Sequence, residues 1–175
     1  MNPCHGCTEA IHPYWWAGKC RRRIEHPRPS AANGISGEDA AFAGRDQDGK
    51  KVSLADYKGR KLVLYFYSEA GTPTCTIESC NLRVHYEIKK KNGLEVLGVS
   101  PDDEKTQKKF EQKYQLPFRL IADKENTITE TYGVRDMKKL FGREYMGILR
   151  TTFIIDEKGS ILKLFLKPRN KEHAE

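Results

Sequence analysis

Downstream of about residue 35, the chain alternates between apolar runs and segments in which apolar residues recur every three or four positions. RKLVLYFY (60–67) and LEVLGVS (94–100) are almost continuously apolar, which is typical of strands buried on both faces. Shorter apolar runs predict further strands, and the last two are joined by EKG, which predicts a hairpin at the sheet edge. These runs are RDQDGKKVSL (45–54, with a turn at Asp48-Gly49), FRLIAD (118–123), TTFIID (151–156) and SILKLFL (160–166).

Three segments between these strands have helical periodicity. CTIESCNLRVHYEIKKKNG predicts one helix from about residue 75 that ends at Asn92-Gly93. DDEKTQKKFEQKYQ predicts a second helix with Asp102 or Asp103 as N-cap, and ENTITETYG predicts a short third helix ending at Gly133. Alternating strands and helices that finish in an antiparallel hairpin predict an α/β domain with a mixed central sheet. The apolar residues of the first helix that could share a buried face are Ile77, Leu82, Val84 and Ile88.

Residues 1–35 differ from the rest, because they show no lasting period and contain four prolines. They predict an irregular, disordered N-terminal extension, followed by a single domain over residues 36–175, since 175 residues are enough for one full core. CHGC (4–7) with His12 and Cys20 offers zinc ligands, but a second closely spaced pair is missing. The favoured interpretation is an unstructured tail or a translation start assigned too far upstream, and we expect no metal.

Composition narrows the classes of function. The net charge is +7, but acidic residues are interleaved with most basic clusters, which favours a solvated surface over a nucleic-acid interface. No apolar run approaches the roughly 20 residues that span a bilayer. Five cysteines are too few for a secreted disulfide scaffold, and no apolar signal segment is visible in the first thirty residues. We therefore expect a cytoplasmic protein that binds neither membranes nor nucleic acid.

The candidate chemistry lies in SEAGTPTCTIESC (68–80), where a strand-to-helix turn places Cys75 in the first helical turn. Unpaired backbone N–H groups and the positive end of the helix dipole favour the thiolate form of a cysteine there. The hydroxyl of Thr72, three residues earlier, can turn back toward the thiolate or an incoming oxygen. The alternative is that Cys75 is a small buried apolar residue.

TPTCTIESC resembles the Thr-Pro-x-Cys-Thr-x-Glu-x-Cys signature of peroxiredoxins of the bacterioferritin comigratory protein, or peroxiredoxin Q, class. Three further stretches resemble this class in register, so that the likeness spans about residues 36–170. They are DQDGKKVSLADYKG (46–59), EVLGVSPDDEKTQKKFEQKYQLPFRLIAD (95–123) and YMGILRTTFIIDEKG (145–159).

The resemblance implies a thioredoxin-like fold and a thiol-dependent peroxidase that reduces hydrogen peroxide and alkyl hydroperoxides, with no metal or organic cofactor. It implies that Cys75 is the peroxidatic cysteine, that Thr72 orients the peroxide and that Arg150 supports the thiolate and polarises the peroxide. Cys80 matches the resolving cysteine of part of the family, and thioredoxin is the implied reductant of the resulting disulfide. Glu78 either fixes an arginine or a helix end, or is a solvated surface residue. We expect a monomer or a weak homodimer.

Two departures from the family pattern affect this expectation. Ser68 stands where the family usually has a proline that shields the thiolate, and Ala40 and Gly44 replace residues that look structural. A thioredoxin-fold binding module without peroxidase activity is therefore the alternative, although the joint presence of Thr72, Cys75 and Arg150 argues against it. A disulfide oxidoreductase would need Cys-x-x-Cys in the helix-opening turn.

The spacing of Cys75 and Cys80 sets a geometric condition. Five helical residues separate their Cα atoms by roughly 8–9 Å and rotate them by about 140°, whereas a disulfide needs about 4.4–6.8 Å. The helix must unwind locally before the two sulfurs can join, and Ser79 and Asn81 beside Cys80 have low helix propensity. The alternative is that Cys80 is a packed helical cysteine.

Overall fold

The computed structural model describes residues 41–140 and 143–166 of the chain. The predicted extension, with Cys4, Cys7, His12 and Cys20, lies outside the described residues. Within the described part, no helix has the length and apolar character needed to cross a membrane. The elements in chain order are β1 (Ala43–Asp46), β2 (Lys51–Ser53), a 3-10 turn (Leu54–Tyr57), β3 (Lys61–Phe66), α1 (Pro73–Val84), α2 (Tyr86–Lys91), β4 (Leu94–Ser100), α3 (Glu104–Tyr114), β5 (Arg119–Ala122), α4 (Thr127–Thr131), β6 (Arg135–Leu140), β7 (Arg143–Ile148), β8 (Thr151–Ile155) and β9 (Ile161–Leu166).

Seven of these strands form one mixed sheet in the order β2-β1-β5-β4-β3-β8-β9. β3 pairs in parallel with β4, and β4 with β5, while the other neighbours are antiparallel. The predicted mixed sheet and the hairpin at its edge, β8 with β9, are confirmed. Gly98 of β4 lies opposite Tyr65 of β3, and a Cβ at Gly98 would come within 2.8 Å of the Tyr65 ring, so this glycine makes room for a buried tyrosine.

Two apolar clusters cover the two faces of the sheet, and β3 contributes to both. On one face, Val63 and Tyr65 pack with Leu82 of α1 and Phe110 of α3. On the other face, Leu62, Leu64 and Phe66 pack with residues that include Tyr132, Phe153 and Ile128 of α4. This two-sided burial explains why β3 is almost continuously apolar in sequence.

The prediction of one helix from about residue 75 to Asn92-Gly93 is wrong, because the chain forms two helices that meet at His85. His85 has φ −96° and ψ 4°, outside the helical region, and α2 begins at the next residue. Tyr86 is buried there, and its hydroxyl donates to Glu95 Oε2 at 3.2 Å. The break between the two helices lies next to this tyrosine, which is hydrogen-bonded to the start of β4.

The shared buried face that the alternative of a packed Cys80 required is absent for three of its four apolar residues. Leu82 is 1% exposed, whereas Ile77, Val84 and Ile88 are 46%, 67% and 62% exposed. The buried face of α1 instead carries Cys75, Glu78, Ser79 and Leu82. Two polar side chains occupy inward positions because each has a partner, and both partners belong to the site described below.

The sequence did not predict the two-stranded sheet formed by β6 and β7. Among the described residues these strands pair with each other and with no other strand, and Met137 lies opposite Met146. Met137, Tyr145 and Met146 are exposed, so the described side chains of this hairpin do not form the buried apolar run that marked the central strands.

Candidate active site

Helix α1 begins inside the TPTCTIESC motif. Gly71 has a φ of +87°, a left-handed conformation that glycine adopts readily, and the chain then enters the helix with Thr72 at the N-cap. Pro73 occupies the first helical position, where the missing N–H costs no hydrogen bond. Cys75 therefore lies in the first turn, as predicted. Backbone N–H groups and the helix dipole favour an anion at this end.

The thiol of Cys75 has apolar surroundings and one close hydroxyl. Its residue is 1% exposed and packs in the same apolar cluster as Tyr65 and Tyr67. Ser68 Oγ lies 3.6 Å from Cys75 Sγ, and either atom can donate the hydrogen bond between them. The position that departs from the family's proline thus brings a polar group to the sulfur.

Thr72 is positioned by a hydrogen bond to its own loop. Its hydroxyl donates to the Glu69 carbonyl oxygen at 3.1 Å and makes no side-chain cap to α1. Because the hydroxyl proton is used in this bond, the oxygen keeps its lone pairs for an external donor. In this arrangement Thr72 is suited to accept a hydrogen bond from a bound molecule.

Arg150 lies in the short connection between β7 and β8 and faces α1. Its Nη1 is 3.7 Å from Glu78 Oε2, and the arginine side chain is 25% exposed whereas the glutamate is fully buried. Glu78 follows Cys75 by three residues, so the two lie on the same face of the helix. The interpretation that Glu78 fixes an arginine is confirmed, and the interpretation that it is a solvated surface residue is wrong.

The environment of Glu78 changes its ionisation. Burial raises the pKa of its carboxyl from 4.5 to about 7, and the nearby Arg150 charge opposes that rise. The unfolded chain loses this proton near pH 4.5, whereas the folded chain keeps it until about pH 7. In that window the folded state binds more protons, so the folded state loses stability as the pH rises.

Replacing Glu78 with glutamine is expected to remove this part of the pH dependence. Near pH 5 the two proteins should be similarly stable, and by pH 8 the Glu78→Gln variant should be the more stable by about 3 kcal/mol. Urea unfolding of both proteins at pH 5, 6, 7 and 8 measures the difference. Parallel stability curves across this range would show that Glu78 does not titrate between the two states.

Cys80 lies on α1 but away from its buried face. It is half-buried, and both it and Cys75 are free thiols. Since both residues belong to one continuous helix, the geometric condition given by their spacing holds, and the helical form does not permit a disulfide between them.

Sequence reasoning missed a second layer of contacts that holds the loop before α1. Asp103 rather than Asp102 caps α3, since its side chain accepts from the Thr106 N–H at 2.8 Å. Asp102 Oδ2 instead accepts from the Ala70 N–H at 2.7 Å and from the Ser100 hydroxyl at 2.6 Å. The loop with Ala70 follows the carboxyl end of β3, and the loop with Asp102 follows the carboxyl end of the adjacent parallel strand β4. Because such loops meet at one edge of the sheet, this contact could have been predicted from the order of the strands.

The comparison with protein families gives one match over most of the chain. The model of the AhpC/TSA family matches residues 37–163. Peroxiredoxin Bcp of Bacillus subtilis is 44% identical over 126 residues, which are 72% of this chain and 80% of that protein. Peroxiredoxin Bcp of Escherichia coli is 38% identical over 132 residues, which are 75% of this chain and 85% of that protein.

Solved structures agree with this match. The bacterioferritin comigratory protein of Xanthomonas campestris, described for its alkyl peroxide reduction activity, has a TM-score of 0.72 and 28% identity, over 76% of this chain and 85% of that one. Peroxidoxin BcpB of Mycobacterium tuberculosis has a TM-score of 0.68 and 29% identity, over 77% and 86%. The predicted thioredoxin-like fold and the predicted peroxidase class are confirmed. With most of its length matched in sequence and in fold, the chain belongs to the AhpC/TSA family and is a peroxiredoxin of the bacterioferritin comigratory protein class, a thiol-dependent peroxidase.

Proposed function

We propose that Cys75 is the peroxidatic cysteine of this enzyme and that Cys80 resolves its oxidised form. The observation that carries the proposal is the position of Cys75, which is buried in the first turn of α1. It lies on the same helix face as Glu78, which contacts Arg150 one turn later. A cysteine in the first turn of a helix, on the face that meets a guanidinium one turn later, lies where the helix dipole and a positive charge can stabilise an anion.

In the first step the Cys75 thiolate attacks one oxygen of a peroxide ROOH. An S–O bond forms while the O–O bond breaks, so the sulfur is oxidised to sulfenic acid and the second oxygen leaves as RO⁻. RO⁻ then takes a proton and departs as water when R is hydrogen, or as an alcohol when R is alkyl. The alkyl peroxide activity stated for the Xanthomonas campestris relative supports including both substrates.

Thr72 and Arg150 have complementary roles in this step. Thr72 Oγ1 donates to Glu69 O and is therefore available to accept the O–H of the bound peroxide, which orients the peroxide for attack. The Arg150 guanidinium is always charged and offers several donors in fixed geometry, which suits the negative charge that develops on the leaving oxygen. Glu78 holds this guanidinium against α1.

In the second step the Cys80 sulfur attacks the sulfenic sulfur of Cys75. An S–S bond forms, the S–O bond breaks, and the oxygen leaves as water after taking a proton. The first two turns of α1 must unwind for this attack, which breaks the 3.1 Å hydrogen bond between Ser79 and Tyr65. Residues 75–80 therefore alternate between a helical reduced form and an unwound oxidised form.

In the third step an external dithiol reduces the Cys75–Cys80 disulfide and is itself oxidised. Cys80 is the more exposed of the two cysteines in the folded state, so we propose that the reductant forms its mixed disulfide with Cys80. A thioredoxin-type protein is the reductant that fits membership of this family. The cycle suits a reducing compartment such as the cytoplasm, in keeping with the low cysteine content of the chain.

The experiment that tests this function follows NADPH oxidation with thioredoxin and thioredoxin reductase, using hydrogen peroxide and cumene hydroperoxide. The full chain is expected to turn over both peroxides, and omission of thioredoxin should stop turnover. We also propose that residues 36–175 form the catalytic domain, so a chain beginning at Ser36 should fold and keep the activity. Stoichiometric consumption of peroxide without turnover would contradict the thioredoxin-dependent cycle, and loss of folding on truncation would contradict the domain boundary.

A further inference from the structure

Ser68 contacts the sulfur that reacts. Its hydroxyl oxygen lies 3.6 Å from Cys75 Sγ, within the range of an O–H···S hydrogen bond. We propose that Ser68 is a further catalytic residue, whose hydroxyl donates a hydrogen bond to the Cys75 thiolate and raises the fraction of the thiolate at neutral pH. This inference rests on the proposed role of Cys75 as the peroxidatic cysteine.

The direction of the bond follows from where the protons are. With a neutral thiol, either Ser68 or Cys75 can donate, and the bond is weak because sulfur is a weak partner. With a thiolate, sulfur carries no proton, so only the serine hydroxyl can donate. The bond then becomes charge-assisted and stronger. The hydroxyl therefore stabilises the ionised form more than the neutral form, and it favours ionisation.

Two anchors hold Ser68 in place. On its N-terminal side, the Tyr67 N–H donates to Val99 O at 3.1 Å, and the buried Tyr67 hydroxyl donates to Gln107 Oε1. On its C-terminal side, the Ala70 N–H donates to Asp102 Oδ2 at 2.7 Å. A loop fixed at both ends keeps the hydroxyl near the sulfur without the ring of a proline, so little ordering is needed when the thiolate forms.

The apolar surroundings increase the effect of this contact. The side chains of Tyr65 and Tyr67 are fully buried in the cluster that contains Cys75. Water has little access to Cys75, whose residue is 1% exposed, so a protein hydroxyl supplies solvation that bulk water would otherwise give. Without it, the thiolate would lose a hydrogen bond that solvent replaces poorly.

The test compares variants that differ only in the hydroxyl. Ser68→Ala removes the hydroxyl. Ser68→Thr and Ser68→Val introduce side chains of nearly equal volume, of which only threonine carries a hydroxyl. Iodoacetamide alkylation of the full chain is followed across pH 5 to 9, and the labelled Cys75 peptide is quantified by mass spectrometry. The midpoint of the alkylation profile should move upward by about one pH unit in Ser68→Ala and Ser68→Val, whereas Ser68→Thr should stay near the parent protein.

Unchanged or lowered midpoints in Ser68→Ala, or equal midpoints in Ser68→Thr and Ser68→Val, would overturn the role of the hydroxyl. If Ser68→Ala fails to fold, the Thr and Val pair decides. Peroxide turnover by Cys75→Ser would instead refute the proposed function itself. Loss of turnover in Cys75→Ser together with an unchanged midpoint in Ser68→Ala would refute only the role of Ser68.

Discussion

Replacing Cys75 with serine is expected to abolish peroxide reduction, lowering turnover by at least about 1000-fold. The serine hydroxyl stays protonated at neutral pH, and its oxygen does not form the analogue of a sulfenic acid, so neither the first nor the second step can occur. Serine is no larger than cysteine, and the site is therefore expected to keep its shape. The thioredoxin-coupled NADPH assay measures the loss, and thermal unfolding checks the fold.

The matched control is the other cysteine of the same helix, Cys80. A Cys80→Ser variant retains the proposed nucleophile and should still consume one equivalent of peroxide rapidly, whereas Cys75→Ser should consume none at the same protein concentration. Turnover that survives in Cys75→Ser would mean that another thiol carries the chemistry, and it would contradict the assignment of the site.

Replacing Cys80 with serine is expected to lower thioredoxin-dependent turnover by at least about 10-fold and to make Cys75 sensitive to overoxidation. Without a resolving thiol, the sulfenic acid persists and a second peroxide converts it to sulfinic acid, which thioredoxin does not reduce. Mass spectrometry of the Cys75 peptide should show two added oxygen atoms at peroxide concentrations that leave the parent enzyme active.

The other cysteines remain present in this variant, so the experiment also tests the resolving partner. If Cys4, Cys7, Cys20 or a second chain resolves Cys75, turnover should survive the loss of Cys80 and sulfinic acid should not accumulate. That result would contradict local resolution. Packing alone at Cys80, without a chemical role, predicts lower stability but unchanged sensitivity to peroxide.

The central sheet could be predicted from the sequence because burial on both faces requires an uninterrupted apolar run. β3 is the clearest case, since all but its first residue is buried. β6 and β7 could not be predicted in this way, since in the part of the chain that the structure describes they pair with each other and not with the central sheet, and they expose Met137 and Met146. Their pairing depends on contacts between segments rather than on burial.

The buried face of α1 could not be predicted from hydrophobicity, because at this site polar side chains face the protein interior and an apolar side chain faces solvent. Glu78 and Ser79 point inward, where Arg150 and Tyr65 meet them, and Ile77 points outward. The motif around Cys75 was visible in the sequence, and so were the matches at Thr72 and Arg150. The contacts of Ser68 with Cys75 and of Ala70 with Asp102 were not, because they depend on how loops fold back or approach across adjacent strands.

Peptide mapping of the protein after one equivalent of hydrogen peroxide tests the central claim most directly. The reduced chain is oxidised, its remaining thiols are blocked, and the digest is analysed without reduction. The account predicts an intramolecular disulfide between Cys75 and Cys80, with loss of helical signal as the start of α1 unwinds. A disulfide from Cys75 to Cys4, Cys7, Cys20 or a second chain, with Cys80 still free, would contradict it.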